Sequence, residues 1–317
     1  MKKMLRFSTL AVLGAGLLFT SCKKDEPSTT ADPETVAMAN NADDEATASG
    51  ETDASLADAD EAINLTAIAG GRVAATLPCG VASIDSFPAE KRYVITFDGR
   101  TRCGNRQAIR SGSITLQLFN AQSWADAGAV MSVTYDNYAV RKGVGRSAGN
   151  AIVLNGSGKI YNVLGGLRRQ VLRGTANQVQ HRIRFSNLRM AYKNRLFTDI
   201  GIAKTRTWVN EGGFITIQVT GDTAGSTLGG NSNVGHWGTN RQGVRSYTIF
   251  QQPVVANNNC GFDAPVSGVK VHKGLNRELT VTFGVDRQGN PVTGSCPYGY
   301  KYQFVGPRRT ETGVVEY

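Results

Sequence analysis

Alternation of apolar and polar residues with a period of two leaves this chain little room for anything but β-structure. In "SITLQLF" Ile114, Leu116 and Leu118 share one face, and in "MSVTY" Met131, Val133 and Tyr135 do the same. "VQHRIRF", "FITIQV", "ELTVTF" and "YKYQF" repeat the pattern, with Leu279, Val281 and Phe283 turned one way and Thr280 and Thr282 the other. Side chains of a strand alternate between its two faces, so these runs are half-buried strands; no period of 3.6 holds for long. Turn-forming clusters separate them: "DGRT", "NGSG", "LGG", "TGDTAG" and "DRQGNP". Short strands, close turns and 37 glycines together predict an all-β fold of antiparallel sheets, either sandwich-like or one extended sheet.

A weak internal repeat organises the strands. "CGVASIDSFPAEKRYVITFDGRTRC" and "CGFDAPVSGVKVHKGLNRELTVTFGVDRQGNPVTGSC" each run from Cys-Gly through a polar stretch into a strand ending Thr-Phe, then to a second cysteine. They read as two related stapled β units, which places an N-terminal β domain over 65–205 and a C-terminal one over 206–317. Four cysteines allow three pairings, and the repeat favours Cys79–Cys103 with Cys260–Cys296. Such staples belong to an oxidising compartment. Metal ligation is disfavoured because no C-x-x-C occurs and His181, His236 and His272 are scattered. No cofactor motif is expected either. "NGSGKIY" has Val153 where a phosphate loop needs its first glycine and Ile160 where it needs a hydroxyl, and "GVGRSAG" lies between strands; both read as hairpin turns.

The fifth cysteine, Cys22, follows Lys2, Lys3, Arg6 and the apolar run "FSTLAVLGAGLLFT". That run is too short to span a bilayer and matches an export signal, so residues 1–21 are expected to be cleaved. Leu18, Phe19, Thr20 and Ser21 before Cys22 resemble a bacterial lipoprotein box, which implies that Cys22 becomes the lipidated first residue. The "KKDE" that follows resembles the signal that carries Bacteroidota lipoproteins through the outer membrane to the cell surface. From Lys23 to Asn64 the chain has 12 acids against two lysines, a net of −10, and no aromatic residue. It reads as a disordered acidic tether over 22–64, about 35 Å long as a flexible coil. From Leu65 onward the balance reverses to 30 Lys and Arg against 13 Asp and Glu, or +17, with arginine outnumbering lysine 22 to 8. A basic body of this kind attracts phosphate, sulfate or carboxylate polymers.

"VITFDGRTRCGNRQAIRSGSITLQL", "MSVTYDNYAV", "TRTWVNEGG", "TNRQGVRSYTI" and "CGFDAPVSGVKV" leading into "ELTVTFG" resemble an uncharacterised family of β-rich Bacteroidota lipoproteins. The resemblance covers most of 90–305. Its motifs are structural, and it implies a fold and an address without an activity.

Candidate binding residues are few. Arg168, Arg169 and Arg173 precede a strand that turns Arg182 and Arg184 outward, a potential basic stripe. His236-Trp237 lies in the glycine-rich stretch 221–243; with Trp208 and Arg241 or Arg245 it would offer a stacking platform for a sugar. His181 alternates with Val179, Ile183 and Phe185 and reads as a core histidine rather than a base. No known catalytic signature occurs, and export and the lack of a reading element disfavour a nucleic-acid reader. The chain therefore reads as a binding or structural module held to the membrane by lipid, with an anionic glycan or an envelope protein as partner. The competing reading is a hydrolase of envelope or host glycans, which needs a cleft with two carboxylates.

Overall fold

Antiparallel pairing of neighbours in sequence accounts for nearly every strand. A computed structural model describes residues 38, 42, 45, 46, 48–56, 77–103, 107–141, 151–192, 197–222, 228, 230–240, 243–274 and 276–317. The signal 1–21, Cys22 and its "KKDE", and "GVGRSAG" lie outside the described residues. Among the described residues the chain forms one antiparallel sheet of 14 strands. Strands β1 (Val81–Phe87), β2 (Arg92–Cys103), β3 (Ala108–Phe119), β4 (Ala129–Arg141), β5 (Ile152–Asn162), β6 (Gln178–Tyr192), β7 (Phe197–Glu211) and β8 (Phe214–Gly221) follow in order. After β9 (Val234–Thr239) come β10 (Arg245–Asn257), β11 (Ser267–Gly274), β12 (Arg277–Val285), β13 (Gly299–Val305) and β14 (Thr310–Glu316). β8 and β9 share one lane: β8 pairs with Lys204–Glu211 of β7 and Val254–Asn257 of β10, and β9 with Asp199–Ile202 and Arg245–Ile249.

The sheet is bent by a seam of β-bulges. Register shifts recur at Ser111/Ser113, Tyr135/Tyr138, Asn155/Gly158 and Phe185/Leu188, one in each successive ladder from β3–β4 to β6–β7. Bulges bend and twist the strand that carries them. At Gly112, with φ +81°, a Cβ would stand 2.1 Å from the Asn137 carbonyl oxygen, so only glycine fits the seam there. "NGSG" is thus a bulge inside β5, not a hairpin turn. "DGRT" likewise lies inside β2, where Asp98 accepts hydrogen bonds from the Arg100 and Thr101 amides. "DRQGNP" is a turn, with Asp286 accepting from Gln288 and Asn290.

The bend brings inner-face side chains together. Tyr135 stacks on Phe185 at 5.8 Å and Tyr138 meets Phe97 at 5.3 Å, each pair two lanes apart, where flat lanes would separate them by about 9.6 Å. Around them gathers the main core, including Ile95, Ile114, Leu116, Val133, Leu154, Ile160 and Ile183. A second cluster, Leu279, Val281 and Phe304, takes in Met38.

That last contact corrects the expectation for the acidic segment. The described residues between 38 and 56 are helical, and Met38, Glu45, Ala48, Glu51, Thr52 and Ser55 are buried against the inner face. A coil was expected because the segment has little to bury; the sheet instead supplies partners for its charges. Residues 33–317 form one compact unit, and the boundary expected between 205 and 206 falls within β7, which is paired on both edges. Both expected disulfides are present, Cys79–Cys103 and Cys260–Cys296. Among the described residues no helix is long and apolar enough to cross a membrane.

Candidate functional site beneath the acidic helix

The acidic helix meets the inner face at two charged centres. The first is Glu45, which is buried. Lys270 of β11 reaches its Oε1 at 2.9 Å, and Thr248 of β10 donates to its Oε2 at 2.8 Å. His272 Nδ1 stands 3.1 Å from the same Oε2 and 2.9 Å from the Thr248 hydroxyl. Since that hydroxyl donates to the carboxylate, it accepts from His272, which fixes the proton on Nδ1. His236 of β9 brings Nδ1 to 2.9 Å from Glu45 Oε1, an electrostatic contact without hydrogen-bond alignment, and its Nε2 is buried without a hydrogen-bond partner among the described residues. Burial alone would push the Glu45 carboxyl up, but His236, Lys270 and His272 hold it well below the usual value. Burial also lowers His236, against the pull of Glu45.

The second centre is Asp53. Its Oδ2 accepts from Lys204 Nζ at 3.0 Å and Arg206 at 2.5 Å, while Ser49 accepts from the same ammonium at 2.6 Å. Lys204 is fully buried, which lowers its pKa to about 8 in spite of Asp53. Burial raises the Asp53 carboxyl, and Arg206 and Lys204 outweigh it and hold the group low. Two residues on, Ser55 hydrogen-bonds the Tyr135 hydroxyl at 2.5 Å.

Beside Asp53 lies a small cavity capped by Asp53 and Leu56 of the helix and floored by Trp124, His181 and Trp208, with Arg168 and Arg206 at its wall. The His181 ring stands between the two indoles, 5.2 Å from Trp124 and 5.1 Å from Trp208. Arg206 lies over Trp208 at 5.0 Å. Burial, then the charges of Arg206 and Arg168, depress His181 to about 3, so the ring is neutral, and its Nε2 finds no hydrogen-bond partner among the described residues. His181 is a core residue, as the alternation implies, but it lines the cavity and one of its ring nitrogens has no hydrogen-bond partner among the described residues.

The expected binding residues divide between the two faces. Arg168 and Trp208 meet at the inner cavity, whereas Arg169 is half-buried on the short helix Arg168–Leu172 and Arg173 is exposed at its end. Arg182 and Arg184 are on the outer face, as expected, but both pair with buried Asp222, at 3.5 and 2.6 Å, which breaks up the basic stripe. His236-Trp237 is part of strand β9, not of a loop. Its two side chains therefore point to opposite faces: His236 to Glu45, Trp237 outward over Gly201, where a Cβ would stand 2.1 Å from the indole. Trp208 and Trp237 are thus separated by the sheet, and the stacking platform built from both does not exist.

The arrangement can hold anions; its fit to hydrolysis is poor. Glu45 and Asp53 are eight residues apart, about 12 Å along a helix, wider than glycosidase carboxylates stand. Both are ionised by their partners, so neither serves as a proton donor. The reading of the sequence overlooked Lys204, Arg206, Lys270, Glu45 and Asp53. A signal was there in "DIGIAKTRTW": Ile200, Ile202, Lys204, Arg206 and Trp208 share one face, so two cations interrupt an apolar row. No family model matches the chain, and no curated protein or solved structure matches it either.

Proposed function

We propose that this chain is an envelope lipoprotein, anchored through Cys22 to the outer membrane and displayed at the cell surface, that binds anionic polymers, glycans above all. The observation that carries the binding reading is the row of cations on the inner face, Lys270, Lys204 and Arg206, which already holds two carboxylates in hydrogen-bonded geometry. The +17 balance of the body supports it by drawing polyanions in. Anchoring and display rest on the lipoprotein box and on "KKDE". Titration of heparin-like and uronate polymers at low and physiological salt tests the binding. Affinity should fall as salt rises, because the exposed charges of the basic body that draw the polymer in are screened beyond about 8 Å at physiological ionic strength; absence of binding at low salt overturns the reading. Cys22→Ser should move the protein out of the detergent phase, and a variant that partitions like the parent refutes the anchor.

A further inference from the structure

We propose that the cavity of Trp124, His181 and Trp208 is a uronate-sugar site, and that Asp53 and Leu56 of the acidic helix occupy it as surrogates which the glycan displaces. The inference rests on the anion-binding reading and assigns it a place. Each surrogate has a counterpart in a uronic acid. Asp53 presents a carboxylate to Arg206 and Lys204, and Leu56 presents an apolar surface to the cavity that the indoles line. A sugar acid carries both on one ring, its C–H face suited to the aromatic floor and its carboxylate to the guanidiniums. It also brings hydroxyls, and His181, a residue only 4% exposed that lines the cavity, has its Nε2 buried and without a hydrogen-bond partner among the described residues. No described atom of the helix satisfies that nitrogen.

The helix is suited to leaving. Apart from Met38 and Leu56, its described contact residues are alanine, serine, threonine and acids, so charge rather than apolar area holds it. The polyanion competes for the same cations at Lys204 and Arg206, and at Lys270 three lanes away. A carboxylate-bearing glycan fits better than an acidic peptide because the floor is aromatic. Docking lowers the apparent affinity by the undocked fraction: if that fraction is about 1%, binding is weakened about 100-fold and weakening the helix recovers it.

The test uses the full chain with uronate oligomers, a heparin-like polymer and polyglutamate, read by calorimetry and amide hydrogen exchange. Uronate binding should speed exchange over 48–56 and slow it in β6 and β7. Asp53→Asn and, as an uncharged second variant, Leu56→Ala should each tighten uronate binding about tenfold or more. Arg168→Gln should weaken it several-fold with helix protection unchanged. If uronate binds while 48–56 stays protected and both helix variants bind like the parent, displacement is wrong and anion binding stands. If no polymer binds any variant at low salt, the anion-binding reading itself fails. Polyglutamate displacing the helix as well as uronate overturns the sugar assignment.

Discussion

His181 and His236 both sit on the inner face with burial pushing their pKa below the ordinary 6.5, which fixes the sign of the acid response. A base with a depressed folded pKa binds fewer protons in the native state, so stability falls as pH drops below the unfolded value. For His181, faced by Arg206 and Arg168, the loss runs from about pH 6.5 down to about 3, at about 1.4 kcal/mol per pH unit. Glu45 and Asp53 are depressed acids, and their stabilisation is lost only below their ordinary values of 4.5 and 3.8. The interval from pH 7 to pH 5 therefore isolates the histidines. Urea unfolding should show a drop of about 2 kcal/mol from His181 across it. His181→Phe, which keeps a ring between the indoles, should remove that share and leave the one of His236. An unchanged pH dependence in the variant would mean that His181 is not the group responsible. Alternation alone was enough to place His181 inside. It could not reveal the open Nε2, because that depends on what the other described residues around the cavity offer it.

Among elements, the strands were legible and the bulges were not. Gly and Asn serve turns and bulges through the same positive φ, so "NGSG" and "DGRT" look alike locally; only pairing across the sheet decides that each stays inside a strand. The acidic helix was hidden for a different reason. Its inward stripe of buried Met38, Glu45, Ala48, Thr52 and Ser55 with half-buried Ala42 has helical spacing, but small and charged residues fill it, so no apolar period stands out. Close glycine–aromatic pairs across strands are a further device of the sheet. Gly158 lies under Phe185, Gly201 under Trp237 and Gly313 under Tyr302, each pair in register. The ring covers the gap in the neighbouring strand. Gly201→Val should cost about 2–3 kcal/mol by overpacking. Combined with Trp237→Ala the cost should shrink, since the clash needs the indole. A strictly additive double-mutant cycle would show that the two do not press on each other.

At the scale of the molecule, a single meandering sheet has two ends, and each disulfide lies toward one of them. Cys103 closes β2 and Cys79 precedes β1, so the first staple ties the edge strand β1 to its neighbour; β1 is short, bulged between Val81 and Ser83, and ends on the exposed Phe87. Cys260 follows β10 and Cys296 precedes β13, so the second ties two loops across β11 and β12. The loops closed span 24 and 36 residues, and each cross-link contributes about 3.5–4 kcal/mol in the chain-entropy model. The main core runs from β1 to β7, but most of it and the helix contacts at Tyr135, Lys204 and Arg206 belong to β4 to β7, outside both closed loops. Opening one staple should therefore act locally before it acts globally. In the Cys79→Ser/Cys103→Ser variant, β1 and the end of β2 should lose hydrogen-exchange protection while β4 to β7 keep theirs. In the Cys260→Ser/Cys296→Ser variant the loss should fall on β10 to β13. Uniform loss of protection across the whole sheet in either variant would show that the two ends are not independent, and that the meander opens as one cooperative unit.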